Sequence, residues 1–388
     1  MQAIGKVGLF GAAGAAGQII AAALSAAGRD YRVVGRARAP LEAAFGHDPH
    51  AEIVTWNPDD PASISAAAAG LQTVIYLVGV PYDQFAAHPP LMERTLSGVT
   101  EAGVERFILI GTVYPYGRAR GNPISENHPR EPHTFKGKMR LAQENLVLAA
   151  HGRPSGSACG STSKSASGDA SGSASKSASR DASGSASKSA SGDASGSTSE
   201  RVSEATSGST RLSTLVLRLP DFYGPGIERS LLNGVFEAAA HGKRAQVIGP
   251  VDVPHEFIYL PDIGPVVEKL TRTPEAYGRW WHLAGAGTIT QREVARQAYA
   301  LAGREPKLMV AGKTMLRMLG LFNPLMRELV EMNYLMTEPV VLDDAALTQL
   351  IGPIAKTSYE NGIRQAFDAA RATASAGVDP HRDAAKTA

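Results

Sequence analysis

The fold of this chain is decided by the stretch Val7-Gly8-Leu9-Phe10-Gly11-Ala12-Ala13-Gly14-Ala15-Ala16-Gly17. A short apolar run, typical of a buried strand, leads into three glycines spaced three apart, and a small-residue segment at 18–27 can then form a helix. This order suits a dinucleotide, because the first glycine permits a tight turn, the second lets the backbone approach a pyrophosphate, and the third lets the helix pack closely. We therefore predict a cofactor site formed by Gly11, Ala13, Gly14, Ala15, Ala16 and Gly17.

Two other interpretations of this stretch stay open at the level of sequence. Closely spaced glycines also occur in flexible loops that bind nothing. Lys6 and the uncharged run 7–28 could instead form a secretory signal, with the small residues near its end as a cleavage region. The glycines weaken a helical signal core, and a nucleotide-fold pattern begins at once, so we expect a cytoplasmic protein.

Composition narrows the classes of function. The 388 residues carry a net charge of +2, which disfavours strong electrostatic attraction to nucleic acid or to an anionic membrane. The single cysteine, Cys159, allows no disulfide framework, and His47 and His50 lie in a proline-containing loop that does not align them as metal ligands. No other uncharged run is long enough to span a bilayer. We expect a small-molecule substrate, with no metal, nucleic-acid or membrane partner, and leave homodimer formation open.

Two arginines follow the second predicted strand, at 31–36. Arg36 and Arg38 stand where a cofactor without a 2′-phosphate usually meets an acidic residue. A guanidinium group matches the oxygens of a 2′-phosphate and stays charged, so the pair favours NADP(H), with NAD(H) still admissible. The simpler alternative is that both arginines only solvate the end of a strand.

Short apolar runs alternate with helical segments further along the chain. Strands are predicted at 51–56, 73–78 and 106–111, and helices at 60–69 and 89–102. This alternation predicts an α/β fold with a Rossmann-type doubly wound parallel sheet, covered on both faces. Ligands of such sheets bind at the carboxyl ends of the strands. The candidate cofactor contacts at these ends are Asn57, Val78 and Gly79.

Composition changes abruptly from 154 to 210, where serine, alanine and glycine dominate and charged residues recur, as at Lys164, Lys176 and Lys188. With almost no large apolar residue to offset chain entropy, this segment is predicted to be a disordered insertion, a regular solenoid being the alternative. The predicted domains are a Rossmann domain at 1–153, the insertion at 154–210, the rest of the Rossmann domain with the start of a substrate lobe at 211–287, a mainly helical substrate lobe at 288–372 and a disordered tail at 373–388.

Four segments together resemble the extended and atypical short-chain dehydrogenases/reductases, the group called NAD-dependent epimerase/dehydratase. They are the glycine turn, Gly111-Thr112-Val113-Tyr114-Pro115-Tyr116-Gly117, Leu217-Arg218-Leu219-Pro220-Asp221-Phe222-Tyr223-Gly224-Pro225 and His255-Glu256-Phe257-Ile258-Tyr259-Leu260-Pro261-Asp262. The resemblance covers nearly all of the chain outside the insertion. It implies a Rossmann domain with a smaller lobe over the substrate, and hydride transfer between a nicotinamide cofactor and a small carbonyl or hydroxyl compound, such as a sugar derivative.

The resemblance also gives individual residues a role. Thr112 takes the position of a Ser or Thr whose hydroxyl polarises a substrate carbonyl or alcohol, whereas the simpler alternative is a hydroxyl that satisfies a strand-end backbone group. Pro220 and Phe222 are expected to contact the cofactor, and Tyr114, Tyr223 and His255 to lie near the substrate. For His255 the alternative is a surface histidine without a ligand.

The family's tyrosine acid/base, with a lysine four residues later, is missing from this sequence. In the register that Gly137 anchors, Lys136 occupies the tyrosine position and Arg140 the lysine position. In the neighbouring register Phe135 and Met139 would stand there, and neither can transfer a proton.

Three consequences of this departure stay open. Lys136 could carry the proton, if burial near a cationic nicotinamide and Arg140 lowers its pKa toward neutrality. Tyr114 or Tyr116 could supply a phenol instead. The site could also bind NADP(H) without chemistry, in which case Lys136 and Arg140 would only form a solvated basic helix face. We expect an NADP(H)-dependent oxidoreductase or epimerase/dehydratase-like enzyme, with a non-catalytic NADP(H)-binding regulatory protein as the alternative.

Overall fold

A parallel sheet flanked by helices forms the centre of the molecule, in a computed structural model that describes residues 5–156, 210–227, 230–319, 321, 328 and 330–375. The strands are β1 Val7–Phe10, β2 Tyr31–Gly35, β3 Ala51–Thr55, β4 Thr73–Tyr76, β5 Arg106–Thr112, β6 Pro154–Ser155, β7 Thr210–Arg211, β8 Ser213–Leu219, β9 Asp221–Tyr223, β10 Ala245–Ile248, β11 His255–Tyr259, β12 Trp280–His282, β13 Thr288–Ile289 and β14 Leu308–Ala311. The helices are α1 Ala15–Ala26, α2 Arg38–Phe45, α3 Pro61–Ala68, α4 His88–Glu101, α5 Phe135–Ala149, α6 Asn233–His241, α7 Ile263–Leu270, α8 Gln291–Leu301, α9 Lys313–Leu319, α10 Tyr334–Thr337, α11 Ala345–Ile351 and α12 Tyr359–Ser375.

The central sheet has seven strands in the order β12-β8-β5-β4-β1-β2-β3, and every neighbouring pair is parallel. The strand order reverses beside β1, which lies between β2 and β4. A crevice therefore opens between the carboxyl ends of β1 and β4, where doubly wound sheets bind their ligands. The predicted Rossmann-type fold class is confirmed.

Both faces of the sheet are buried, which explains why its strands are apolar without alternation. Leu9 packs into one core cluster with Ile20 of α1 and Val267 of α7, and the next residue, Phe10, packs into the opposite cluster with Ile64 of α3. Each strand residue thus faces a helix layer, and the crevice at the strand ends is positioned by packing on both sides.

The edge strand β12 was not predicted from the sequence. Trp280 pairs with Val216 and His282 with Arg218 of β8, which completes the sheet. Outside the central sheet, β10 and β14 form a parallel pair, and β13, β11 and β9 form a three-stranded sheet. The region predicted as a mainly helical lobe therefore also contains short strands.

The ends of the Ser/Ala/Gly segment are ordered. Pro154 pairs with Arg211 and Ser155 with Thr210 in an antiparallel ladder, so the predicted boundaries at 154 and 210 fall inside paired strands. The predicted disorder concerns 157–209, which lie outside the described residues. Helix α12 continues to Ser375, past the predicted start of the tail at 373, and 376–388 also lie outside the described residues.

Within the described part of the chain, no helix combines the length and the apolar character that crossing a bilayer requires.

Candidate active site

The glycine turn after β1 forms the geometry predicted for it. Gly11 has a φ of +90°, and a Cβ there would lie 2.9 Å from the backbone nitrogen of Val78. A Cβ on Gly17 would lie 2.3 Å from the carbonyl oxygen of Ala12, whereas one on Gly14 would meet only the Gly11 oxygen, at 3.8 Å. Gly11 thus makes the turn, Gly17 lets α1 pack against the turn itself, and Gly14 leaves the space in front of the helix open.

The amino end of α1 carries no cap from a side chain. Gly14 is the N-cap residue, and no side chain accepts a hydrogen bond from the first turn, where Ala15, Ala16 and Gly17 lie. The carbonyl of Ala13 accepts from Gln18 Nε2 at 3.0 Å, which fixes the loop ahead of the helix. A pyrophosphate fits this end, because its oxygens could accept from helix N–H groups that have no other acceptor.

The two arginines after β2 differ in their surroundings. The Gly11 N–H donates to the Val34 carbonyl at 2.9 Å, which joins the glycine turn to the end of β2. Arg36 follows directly, is exposed, and makes no hydrogen bond or ion pair with any residue that the structure describes. Arg38 begins α2, and its Nε donates to Glu42 Oε1 at 2.7 Å. Arg36 is therefore the guanidinium group that is available beside the turn.

The other predicted cofactor contacts lie at the ends of β3 and β4. Val78 lies against Gly11, and Gly79 is exposed beside it, so both line the crevice next to β1. Asn57 follows the edge strand β3, and its Oδ1 accepts the Asp59 N–H at 3.1 Å. Asn57 thus stabilises a turn, with only its side-chain amide group left for a ligand.

Thr112 ends β5 at the same edge of the sheet. Its Oγ1 accepts the Tyr114 N–H at 3.3 Å, which leaves the hydroxyl proton to donate to a ligand. The Tyr114 hydroxyl lies 2.8 Å from the hydroxyl of Tyr82, which belongs to a 3-10 helix at 82–87. Burial, together with the neighbouring Tyr82 and Asp221, raises the pKa of Tyr114 well above its ordinary value. Thr112 and Tyr114 therefore both carry protonated hydroxyl groups near the carboxyl end of β5.

Tyr116 lies in a different environment, although it is only two residues from Tyr114. Its side chain is fully buried, accepts a hydrogen bond from Arg218, and donates to His282, whose other ring nitrogen lies 3.1 Å from the Asp343 carbonyl. Arg218 is also fully buried and forms a two-point ion pair with Glu144 of α5. The structure therefore places the predicted Tyr116 in a closed network rather than beside Thr112.

Lys136 is fully buried near the start of α5. Its Nζ donates to Glu328 and, at 2.7 Å, to Glu331, and its backbone N–H donates to Glu331 at 2.9 Å. Burial alone would lower the pKa of Lys136, but the hydrogen bonds to both carboxylates outweigh it, so the pKa lies above its ordinary value. The expected lowering of the Lys136 pKa is wrong, and so is the alternative of a solvated basic face. Glu328 and Glu331, from the C-terminal lobe predicted at 288–372, cover the side chain.

Arg140 lies one turn further along α5, on the same inner face. Its guanidinium group donates to Gln143 at 2.8 Å and lies over the Phe85 ring, while its buried Nε has no partner among the described residues. His88, whose ring nitrogens have no partner among the described residues, lies near Arg140, since burial and the charge of Arg140 lower the His88 pKa to about 3. Unsatisfied buried donors carry a cost, so this group of side chains fits a hydroxyl-bearing ligand such as a cofactor ribose.

A small cavity lies beside Val113, the residue that follows Thr112. It is lined by Val113, Pro220, Asp221, His255, Glu256, Leu335 and Val340. His255 is buried, and burial lowers its pKa although hydrogen bonds with the Val253 and Leu335 backbones act in the opposite direction. Glu256 accepts the N–H groups of Gly285 and Leu342, and burial raises its pKa to about 7. The cavity has a volume of about 10 Å³, which is room for about one water molecule, and a substrate contact of His255 stays a prediction.

The predicted contacts after β8 separate into two groups. Pro220 lines the cavity, and Phe222 packs partly buried against the core cluster of the sheet. Tyr223 is buried in the core of the C-terminal lobe, where its ring stacks on Tyr359 at 5.8 Å between centroids. Tyr223 is thus not among the residues that line the cavity.

Sequence reasoning missed three residues of this region. Tyr82 pairs with Tyr114, Glu331 covers Lys136, and Asp221 lines the cavity. Asp221 offered a signal, since it stands inside a segment that carries the family resemblance. Tyr82 and Glu331 offered none, because their partners lie far away in the sequence.

Among the described residues, no group of three or more His, Cys, Asp or Glu side chains has a geometry that could hold a metal ion.

Comparisons with known proteins agree with this geometry. A profile of the NAD(P)H-binding family matches residues 11–144, which span the glycine turn, Thr112 and most of α5. No curated protein sequence matches the chain.

Several solved structures with a similar fold contain bound NAD. UDP-glucuronic acid 4-epimerase from Bacillus cereus, in complex with NAD, has a TM-score of 0.66 at 13% identity, over 95% of this chain and 99% of that chain. The dTDP-glucose 4,6-dehydratase DesIV from Streptomyces venezuelae, with NAD bound, has a TM-score of 0.68 at 14% identity, over 95% and 98%. WbmH from Bordetella bronchiseptica, in complex with NAD+, has a TM-score of 0.63 at 15% identity, over 96% and 99%. The NAD(P)-binding Rossmann fold is confirmed, and this fold is similar to that of epimerase and dehydratase structures solved with NAD.

Proposed function

We propose that this protein is an NADP(H)-dependent enzyme of the short-chain dehydrogenase type that transfers hydride to or from a small carbonyl or hydroxyl compound. The observation that carries the proposal is the position of Thr112 and Tyr114 at the same sheet edge as the glycine turn, on either side of Val113, which lines a small cavity. The similar solved structures include a UDP-glucuronic acid epimerase and a dTDP-glucose dehydratase, which supports a sugar nucleotide as the first substrate class to test.

The residues of the chain divide the work between binding and orientation. The amino end of α1 would hold the pyrophosphate, and Arg140 would donate to the nicotinamide ribose with its unpartnered Nε. The bound cofactor supplies or accepts the hydride. Thr112 and Tyr114 would hold the substrate oxygen with two hydroxyl groups, which fixes the reacting carbon against the cofactor.

The preference for NADP(H) rests on Arg36. A free guanidinium group beside the turn can form charge-assisted hydrogen bonds with a 2′-phosphate, whereas Arg38 already pairs with Glu42.

Replacing Arg36 with alanine should weaken NADPH binding about 10-fold, equal to about 1.4 kcal/mol, and leave NADH binding unchanged. Titration of both dinucleotides by calorimetry measures the two affinities. The matched control is Arg38→Ala, which should change NADPH affinity by less, because that side chain is engaged on its own helix. An unchanged ratio of the two affinities in Arg36→Ala would reject the assignment.

The enzymatic proposal itself is tested by NADPH consumption against a panel of aldehydes, ketones and nucleotide sugars. Reproducible turnover of any member supports it. Micromolar NADPH binding without turnover of any compound, in either direction, would favour the alternative.

That alternative is a non-catalytic NADP(H)-binding regulatory protein. It is favoured by one observation, namely that the residue in the family's tyrosine position, Lys136, is held by Glu328 and Glu331. An ammonium group kept charged by two carboxylates is a poor proton carrier near pH 7. In the enzymatic proposal we assign Lys136 the role of holding the C-terminal lobe over the site.

Replacing Lys136 with methionine should therefore lower the free energy of unfolding by about 1–3 kcal/mol, because Glu328 and Glu331 lose a charged partner. Turnover of NADPH should persist within about 10-fold. Chemical denaturation and steady-state rates measure the two effects. Lys138→Met, at an exposed position of the same helix, is the control and should change neither. A folded Lys136→Met variant without turnover would show that the lysine carries the proton.

A further inference from the structure

The candidate site lacks an obvious proton carrier. Hydride transfer at a carbonyl or alcohol also moves a proton, and an efficient carrier has a pKa near the working pH. Lys136 is paired with two carboxylates, and Tyr114 keeps its proton because its pKa is raised. Arginine does not titrate in proteins, which excludes Arg140. The carrier must therefore be another group at this edge of the sheet.

Asp221 lies just beyond the carboxyl end of β8, beside the carboxyl end of β5. Thr112 and Leu219 are register partners on β5 and β8, and Asp221 stands two residues beyond Leu219, as Tyr114 stands two beyond Thr112. Asp221 and Val113 both line the small cavity, whose volume is about 10 Å³. It makes no hydrogen bond or ion pair with any residue that the structure describes.

The groups that face Asp221 come from every element around the cavity. The phenols of Tyr82, Tyr114 and Tyr334 all have pKa values raised in part by the Asp221 charge, after the larger effect of burial. His255 and Glu256 of β11 line the same cavity, and Arg140 acts on Tyr82 and Tyr114 from α5. Asp221 thus has phenols around it and no salt-bridge partner, which leaves its carboxylate able to accept and return a proton.

We propose that Asp221 is the proton carrier of this site, in place of the missing tyrosine. The inference rests on the proposed function. During oxidation of an alcohol, the C–H bond breaks and its electron pair leaves as hydride to C4 of the oxidised nicotinamide. The O–H bond of the hydroxyl group on the same carbon breaks, its electron pair forms the second bond of the C=O group, and the proton passes to a carboxylate oxygen of Asp221. The substrate loses two electrons and the cofactor gains two, and reduction reverses each transfer.

The ionisation of Asp221 agrees with this role. Burial raises its pKa to about 6, which is close to neutrality for a carboxyl group. Oxidation needs the carboxylate, so kcat/KM should fall as the pH drops below about 6. Reduction needs the protonated acid, so kcat/KM should fall as the pH rises above about 6. A single proton carrier should therefore give pH profiles of kcat/KM that have opposite slopes for oxidation and reduction and that share one pKa.

The decisive variants are Asp221→Asn and Asp221→Glu in the full chain. Asp221→Asn should lower kcat/KM about 100-fold in both directions, and its kcat/KM should no longer change with pH near 6. Asp221→Glu should keep a pH-dependent kcat/KM and should be faster than Asp221→Asn. Asp252→Asn, which alters an exposed carboxylate paired with Arg292, is the control and should keep rate and profile. Equal melting temperatures and NADPH affinities show that the variants fold.

A second measurement does not depend on turnover. The chain labelled with 13C at aspartate carboxyl groups is titrated by NMR without ligand, and the Asp221 signal is assigned by its absence in Asp221→Asn. A titration near pH 6 supports the proposal, and a midpoint below about 4.5 overturns it. If the wild type turns over a compound and Asp221→Asn keeps the same kcat/KM and the same pH profile, only the assignment of Asp221 fails. If no compound turns over, the proposed function fails and the step fails with it.

Discussion

Replacing Arg218 with methionine should lower the free energy of unfolding by about 3–5 kcal/mol, the largest stability effect expected for any single site described above. The Arg218 side chain is fully buried and Glu144 nearly so, and Arg218 donates to both Glu144 oxygens and to Tyr116. Methionine fills much of the same volume, but it leaves the Glu144 carboxylate without its main counter-charge. The cost therefore comes from an uncompensated buried charge rather than from lost packing.

Denaturant unfolding followed by fluorescence measures this effect. In the double variant Arg218→Met with Glu144→Gln, part of the lost stability should return, since the unpaired charge has been removed. The matched control is Arg364→Met, whose pair with Glu360 is exposed on α12 and should matter by less than about 0.5 kcal/mol. An equally small effect of Arg218→Met would mean that water or another cation compensates Glu144.

Replacing Gly17 with valine should abolish dinucleotide binding, with at least a 100-fold loss of affinity, or about 2.7 kcal/mol. The new Cβ would lie 2.3 Å from the Ala12 oxygen and 2.6 Å from the Ala12 Cα, both of which are backbone atoms. Helix α1 must then move away from the turn, and its amino end no longer points at the pyrophosphate. Overpacking should also lower the free energy of unfolding by about 1–3 kcal/mol.

Gly14→Ala separates binding from folding at the same turn. The nearest atom to a Cβ there is 3.8 Å away, so the free protein should keep its stability, while the methyl group intrudes on the space in front of the helix and weakens NADPH. Gly312→Ala, with no atom within 4 Å of the new Cβ, is the control for both measurements. Normal NADPH affinity in Gly17→Val would refute a cofactor site at this turn.

The fold could be predicted because its signals are local. Apolar runs such as Val7–Phe10 are buried on both faces, and the glycines that follow are required by short distances to the nearby Val78 and Ala12 backbones. The edge strand Trp280–His282 escaped prediction because three residues show no periodicity and their pairing partner, β8, is distant in sequence.

The sequence predicted where the candidate site lies, but not which residues contact its side chains. The helical period of α5 turned Lys136 inward, as the chosen register required, and left Phe135 exposed. The carboxylates that hold Lys136 belong to the C-terminal lobe, and no local pattern identifies them. Tyr114 and Tyr116 looked equivalent in the sequence, but the 3-10 turn directs one to Tyr82 and the other to Arg218.

The ladder between β6 and β7 makes the domain tolerant of whatever connects these two strands. Ser155 pairs with Thr210, and its hydroxyl also bonds the Val104 carbonyl, so this exit point is fixed independently of the connector. Closure entropy varies with the logarithm of length, so a connector one tenth as long would change the free energy by only about 2 kcal/mol. A reporter, an affinity tag or a whole foreign domain could be grafted here, and the same tolerance would let a repetitive tract lengthen or shrink over evolution without harming the dinucleotide fold.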